Sequence, residues 1–149
     1  MARYHATVLS RRSVADTFAY MATFSNAARW DPGVRSAEQL DPGPVGAGTR
    51  FRLVVPFLGR RMSLTYRVTE FRPDAEVVLE ASNRLIRSTD RISVAPDADG
   101  ARVGYHADVR LRGPLSLLNP LLGRGFRAAA DRATAGLART LSAEPAPHA

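Results

Sequence analysis

The sequence contains no cysteine and no lysine, and each absence excludes a kind of chemistry. Without cysteine there is no disulfide bond, no thiolate metal ligand and no cysteine nucleophile. Without lysine there is no Schiff base with a carbonyl substrate. A chain without cysteine suits a reducing compartment, and we expect a cytoplasmic location.

Long apolar runs are also missing. No stretch approaches the roughly 18 apolar residues of a membrane-spanning helix, and the first residues, MARYHATVLSRRS, lack the apolar region of a signal peptide. We therefore expect no membrane insertion. The 149 residues, 45% of them hydrophobic, fit one globular domain over 1–149. We expect an ordered core over about 4–142 and a flexible Pro/Ala-rich tail over 143–149.

Positive charge exceeds negative charge, since 21 arginines accompany 14 acidic residues and give a formal net charge of +7. Such an excess is typical of nucleic-acid-binding proteins. However, these proteins concentrate basic charge in one arm or helix and interleave aromatic side chains. Here the arginines are scattered singly or in pairs along the whole chain. We therefore predict no nucleic-acid partner.

Metal and cofactor motifs are absent from the sequence. The three histidines, His5, His106 and His148, have no spacing suited to a metal ion. Strand alternation places His106 on the face opposite Tyr105, which predicts a surface histidine. Gly46-Ala47-Gly48 lacks the third glycine and the following helix of a dinucleotide site. We predict no metal and no cofactor.

Hydrophobic spacing divides the chain into a first strand with two short helices, a long run of strands, and a final helix. The segment that follows Ser13 has helical spacing, and Ser13 is placed to cap it. A second, very short helix ends at Asp31-Pro32-Gly33. Six strands with short connections then predict an antiparallel meander. Apolar residues that recur every three or four positions predict a last helix over about 120–142.

The last helix is the only predicted element long enough to cover the apolar face of such a sheet. Its inner face is rich in alanine after Phe126. Small side chains there either let the helix pack closely on the sheet or leave a cavity between the two. The spacing alone favours close packing.

Four segments resemble, in order, the polyketide cyclase/dehydrase-like branch of the START-like (SRPBCC) superfamily: SVADTFAYMATFSNAARWDPGV, GPVGAGTRFRLVV, DGARVGYHADVRLRG and PLLGRGFRAAADRATAGL. The resemblance covers about residues 4–141. It implies an α+β helix-grip fold, in which a curved seven-stranded antiparallel sheet wraps around the long C-terminal helix and two short helices lie between strands 1 and 2. It also implies a deep, largely apolar pocket between sheet and helix. The alanine-rich face is then expected to line that pocket.

Alternation along the strands places polar side chains on the face toward such a pocket. Tyr66 shares a face with Leu64, while Ser88 and Asp90 lie among isoleucine and valine residues. A buried carboxylate is costly unless it is paired, and its pKa is usually raised. Asp90 is therefore either a pocket acid or proton acceptor, or a residue that pairs with an arginine or hydroxyl or is turned outward by a bulge. Tyr66 and Tyr105 are likewise either ligand contacts or core residues.

Trp30, the only tryptophan, directly precedes the Asp31-Pro32-Gly33 turn. In a helix grip we expect it against the long helix, near Phe126 or Leu122. It either closes the base of the core or lines the cavity.

Two functions fit these observations best. The first is a carrier or sensor that binds an apolar, lipid- or polyketide-like small molecule and does no chemistry. The second is a polyketide cyclase, aromatase or dehydrase that moves protons through Tyr66, Asp90 and Tyr105. A regulatory partner without a ligand has the least support. We favour the binder, because such an enzyme would show a clearer inward histidine or arginine, and we leave monomer and homodimer open. The expected ligand-binding residues are Phe18, Trp30, Phe51, Leu64, Tyr66, Ser88, Asp90, Tyr105, Leu122, Phe126 and Ala130.

Overall fold

The structure, a computed structural model, describes residues 2–57 and 59–142. The tail predicted over 143–149 lies outside these residues. The elements of the described chain are β1 (Ala2–Ser10), α1 (Val14–Ala22), α2 (Ala27–Trp30), β2 (Ser36–Gln39), β3 (Arg50–Phe57), β4 (Arg60–Arg72), β5 (Glu76–Ser82), β6 (Ile86–Asp97), β7 (Gly100–Leu111) and α3 (Asn119–Ser142). A 3₁₀ turn precedes each of the last two helices, at Phe24–Asn26 and Gly113–Leu118.

The seven strands form one antiparallel sheet in the order β1-β7-β6-β5-β4-β3-β2. Strands β2 to β6 each pair with the next strand along the chain, as short connections favour. β1 instead pairs with β7, so the first and last strands are neighbours. A register shift between Val68 and Glu70 marks a bulge in β4, and bulges bend a strand and increase its twist. The predicted seven-stranded antiparallel sheet with a long C-terminal helix is confirmed.

The helix α1 starts where the sequence predicts it. The Ser13 side chain accepts a hydrogen bond from the backbone N–H of Asp16, at 3.1 Å, and so satisfies one of the free donors at the helix start. The buried stripe of α1 includes Thr17, Phe18 and Met21. This stripe packs against β6 and β7 and fills one end of the core.

The long helix α3 packs on the sheet mainly along β1, and only its C-terminal part is buried. Gly136, Leu137 and Leu141 are its buried residues, whereas Leu121 in its first turn is 75% exposed. The earlier turns therefore stand away from the sheet. None of the described helices combines the length and apolarity needed to cross a membrane.

Candidate functional site

A cavity of about 290 Å³ lies between the sheet and the earlier turns of α3. The helix contributes Ala129, Ala130 and Ala133 to its wall, together with larger side chains. Because these alanines are small, the helix does not fill the space above the sheet. Of the two alternatives that the alanine-rich face allowed, the structure therefore has the cavity.

Nine of the eleven residues expected to bind a ligand line this cavity. They are Trp30, Leu64, Tyr66, Ser88, Asp90, Tyr105, Leu122, Phe126 and Ala130.

Phe18 and Phe51, which were also expected to bind a ligand, do not line the cavity. Phe18 lies on the buried face of α1, where its ring meets the edge of Phe71 at a centroid distance of 5.4 Å. Phe51 is fully buried at the start of β3 and packs edge-on against Phe24. Both side chains point inward, but α1 and the 3₁₀ turn before α2 cover that part of the sheet. Only the part under α3 stays open.

A chain of hydrogen bonds crosses the polar side of the cavity wall. The Tyr66 hydroxyl donates to Oγ of Ser88 at 3.1 Å. Ser88 in turn donates to Oδ1 of Asp90 at 3.3 Å, and Tyr105 donates to Oδ2 of the same carboxylate. The Asp90 side chain therefore pairs with two hydroxyls, which was one of the predicted alternatives.

Strand register explains how these four side chains meet. Ser88 and Asp90 are two residues apart on β6 and so lie on one face. Ala81 on β5 stands between Tyr66 and Ser88, since it pairs with both. Its small side chain leaves room for the tyrosine hydroxyl to reach across β5. Tyr105 on β7 is a diagonal neighbour of Asp90.

Burial controls the protonation of this chain. Desolvation raises the pKa of Asp90 to about 6, while the hydrogen bonds from Tyr105 and Ser88 act in the opposite direction. Burial and the nearby Asp90 charge also raise the pKa of both Tyr66 and Tyr105. Both phenols therefore remain protonated at neutral pH, and Asp90 is the one member of the chain that titrates near it.

Asp31 brings a second carboxylate into the cavity wall. It is the first residue of the Asp31-Pro32-Gly33 turn, and its Oδ1 accepts the backbone N–H of Gly33 at 2.8 Å. Burial raises the pKa of Asp31, and its charge also raises the pKa of Asp90. The sequence patterns did not single out Asp31, because residues in a turn have no periodicity that assigns them to a face.

Trp30 lies in the cavity wall with 6% of its surface exposed. Its ring meets the edge of Tyr105 at a centroid distance of 5.8 Å. Its backbone packs on α3 at Gly136, where a β-carbon would stand 2.0 Å from the Trp30 carbonyl oxygen. That contact is ten residues, or about 15 Å, along the helix from Phe126. The Trp30 backbone therefore contacts α3 toward the helix C-terminus, while its side chain lines the same cavity as Leu122 and Phe126.

A second polar group connects β1 with α3. The Tyr4 hydroxyl donates to Oδ1 of Asp131 at 2.8 Å and accepts a hydrogen bond from Thr134. The Tyr4 ring also meets the edge of Phe126. Tyr4 and Thr134 line the cavity but were not predicted to do so. The shared parity of Tyr4 and Val8 along β1 is the signal that places Tyr4 on the inner face.

The histidines of the sheet lie on the opposite face. His5 and His106 pair across β1 and β7, and their rings stack at a centroid distance of 4.0 Å. Both are exposed, which confirms the prediction for His106. Among the described residues, no three histidine or acidic side chains come together as a metal site.

Comparisons with known proteins agree with this architecture. A family model described as polyketide cyclase / dehydrase and lipid transport matches residues 1–142. No curated protein sequence matches the chain.

Solved structures share the fold at low sequence identity. A START superfamily protein from Mycobacterium smegmatis has a TM-score of 0.75 at 14% identity, covering 95% of this chain and 97% of its own. The protein TTHA0849 from Thermus thermophilus has a TM-score of 0.73 at 17% identity, covering 94% and 95%. The Zhui aromatase/cyclase from Streptomyces sp. R1128 has a TM-score of 0.70 at 16% identity, covering 93% and 90%. At these identities the likeness concerns the fold alone.

Proposed function

The chain belongs to the polyketide cyclase / dehydrase and lipid transport family, and we propose that it binds an apolar small molecule in the cavity between the sheet and α3. The observation that carries this proposal is the cavity itself, which most domains of this size would fill with side chains. Most of its wall is aliphatic or aromatic, and its polar groups lie around Asp90 and at Tyr4 and Thr134. Such a wall is typical of small-molecule sites.

The size of the cavity restricts the ligand. Its volume of about 290 Å³ lies just below the roughly 300–1,000 Å³ found for ligand pockets. We therefore expect a compact ring system or a medium-length alkyl chain to fit, lipid- or polyketide-like in character.

Thermal unfolding with and without decanol tests the proposal. A ligand at about 100 times its Kd stabilises the native state by about 2.7 kcal/mol, which raises the Tm of a domain of this size by several degrees. Native mass spectrometry should show one bound molecule per chain. If decanol and a panel of larger apolar compounds neither raise the Tm nor appear in the mass spectrum, the proposal is wrong.

A second candidate function is proton transfer on a polyketide-like substrate, in a cyclase, aromatase or dehydrase. The observation that favours it is Asp90, a buried carboxylate in the cavity wall whose pKa is raised to about 6. A general base works best when its pKa lies close to the operating pH. Ionised Asp90 would accept a proton from the acidic carbon between two ketones, while Tyr105 directly, and Tyr66 through Ser88, hold the carboxylate in position.

Product analysis separates the two functions. Co-expression with a polyketide synthase should yield a changed product pattern that Asp90→Asn abolishes and Asp97→Asn retains. Asp97 is a suitable control because it lies on the same strand but pairs with Arg102 outside the cavity. A product pattern that is identical with and without the wild-type protein would leave binding as the function.

A further inference from the structure

The hydroxyl groups around Asp90 in the cavity wall each donate their proton in a hydrogen bond within the protein. Tyr66 donates to Ser88, and both Ser88 and Tyr105 donate to Asp90. A ligand that meets these groups finds oxygen lone pairs and a carboxylate, since each of the three hydroxyls has only one proton to give.

A second hydroxyl pair, between β1 and α3, repeats this arrangement. Thr134 donates to the hydroxyl of Tyr4, and Tyr4 donates to Asp131. The two hydrogen bonds again form a chain of donors that ends at a carboxylate, here that of Asp131. The hydroxyls of both groups therefore offer acceptors to a ligand.

Positive charge is missing from the described part of this wall, although the protein carries 21 arginines. No arginine or histidine lies among the described lining residues, whereas Asp31 and Asp90 both do. Arg132 on α3 lowers the pKa of Asp31 but is not part of the wall. The indole N–H of Trp30 is the remaining side-chain donor of the described wall, and one neutral donor does not neutralise a carboxylate.

We propose that the cavity selects ligands whose polar end donates hydrogen bonds and carries no negative charge, namely a hydroxyl or a protonated amine, and that it rejects carboxylates with the same apolar body. This inference rests on the proposed binding function and states which class of apolar ligand the cavity takes.

Electrostatics explains the expected order of affinities. A carboxylate that enters the cavity loses its hydration without gaining a cation or a set of donors. It also stands close to two aspartates, and like charges in a buried site repel each other. An ammonium or hydroxyl group instead donates to Asp90 or to a hydroxyl lone pair, and hydrogen bonds to charged groups are among the stronger ones.

Three probes with one alkyl chain test the proposal: decylamine, decanol and decanoate, each titrated into the full chain below its micelle concentration. The buffer should lie well above the Asp90 pKa of about 6, so that this carboxylate is ionised. Decylamine is then protonated and decanoate ionised. We expect decylamine and decanol to bind about 10- to 100-fold more tightly than decanoate, the range that one charged hydrogen bond spans.

Two variants test whether Asp90 causes the difference in affinity between decylamine and decanoate. Asp90→Asn should reduce the preference for decylamine over decanoate by about tenfold or more, whereas Asp97→Asn on the same strand should leave it unchanged. If Asp90→Asn does not fold, Asp31→Asn provides the same comparison, with a smaller change expected because Asp31 makes no bond to the hydroxyl chain.

The outcomes distinguish this inference from the proposed function. Equal affinities for the three probes, or tightest binding of decanoate, would overturn the charge selection while leaving apolar binding in place. Binding of none of the three, together with a negative result for the larger apolar compounds, would overturn both. A preference that Asp97→Asn removes as fully as Asp90→Asn would also contradict the role of the cavity carboxylate.

Discussion

Tyr105 on β7 donates its hydroxyl proton to the buried carboxylate of Asp90 on β6, and the ring of Trp30 packs edge-on against the same tyrosine. One side chain thus joins the acid of the cavity to the aromatic residue at the end of α2. The three residues link the sheet to α3, because the Trp30 backbone packs on Gly136. A change at any of them is therefore expected to affect both stability and the cavity.

Removing the Tyr105 hydroxyl should destabilise the protein and raise the pKa of Asp90. In Tyr105→Phe the carboxylate loses a donor that lowers its pKa, so the pKa should rise above about 6. The free energy of unfolding should fall by about 2 kcal/mol at a pH where Asp90 is ionised, the usual effect of losing a hydrogen bond to a charged group.

NMR titration of the aspartate carboxyl carbons measures this pKa, and urea unfolding measures the stability. Tyr4→Phe is a matched control, because its hydroxyl bonds the carboxylate of Asp131 at an exposed position. Its effect on stability should be less than about 1 kcal/mol. Equal losses in the two variants would contradict the importance of the buried bond.

The stability of the protein should depend on pH through Asp90. Its pKa is raised from 3.8 to about 6 in the folded state, so the folded state holds this proton more tightly than the unfolded chain. The contribution is full below about pH 4 and is lost as the pH rises to about 6, for a total of about 3 kcal/mol. Ser88, Tyr66, Tyr105 and Asp31 face this carboxylate inside the cavity, and Asp108 acts on it from the neighbouring strand.

Comparison with Asp90→Asn isolates this contribution from those of the exposed carboxylates. Between pH 4 and neutrality the wild-type protein should lose about 3 kcal/mol of unfolding free energy relative to the variant. Asp97→Asn should instead follow the wild-type curve. Parallel curves for wild type and Asp90→Asn would show that the carboxylate is not desolvated.

A methyl group at Gly136 should destabilise the contact between α2 and α3. Its β-carbon would stand 2.0 Å from the carbonyl oxygen of Trp30, so the helix must shift, at a cost of about 1–3 kcal/mol. Gly125→Ala is the matched control in the same helix, since nothing lies within 4 Å of its β-carbon position. That variant should be stabilised by about 0.5–1 kcal/mol, because alanine is the better helix former. Thermal or urea unfolding of both variants measures the difference, and a change of the same sign in both would contradict the close contact.

The sequence predicted the sheet, the last helix and the inward orientation of Tyr66, Ser88 and Asp90. These predictions depend on local periodicity, since residues that alternate along a strand share a face wherever that strand lies. The N-cap at Ser13 is similarly local. Such features can be predicted from the sequence because residues close along the chain determine them, without tertiary contacts.

Other parts of the site depend on which element covers which part of the sheet. Phe18, on α1, packs against Phe71, and Phe51 packs against Phe24 in the 3₁₀ turn before α2, so both are buried away from the cavity. Asp31 comes from a turn, and the contact of Trp30 with Gly136 joins residues more than a hundred positions apart. These contacts are tertiary, and periodicity contains no information about them.

Titration of Trp30 fluorescence with decanol, in wild type and in two variants of α3, tests the binding cavity most directly. Ala130→Phe places a large side chain in the cavity wall, whereas Ala128→Phe adds the same side chain at an exposed position that does not line the cavity. We expect decanol to change the Trp30 emission in wild type and Ala128→Phe, and to bind Ala130→Phe at least about tenfold more weakly, equivalent to about 1.4 kcal/mol. Equal binding to both variants, with Ala130→Phe folded, would show that the ligand does not occupy this cavity.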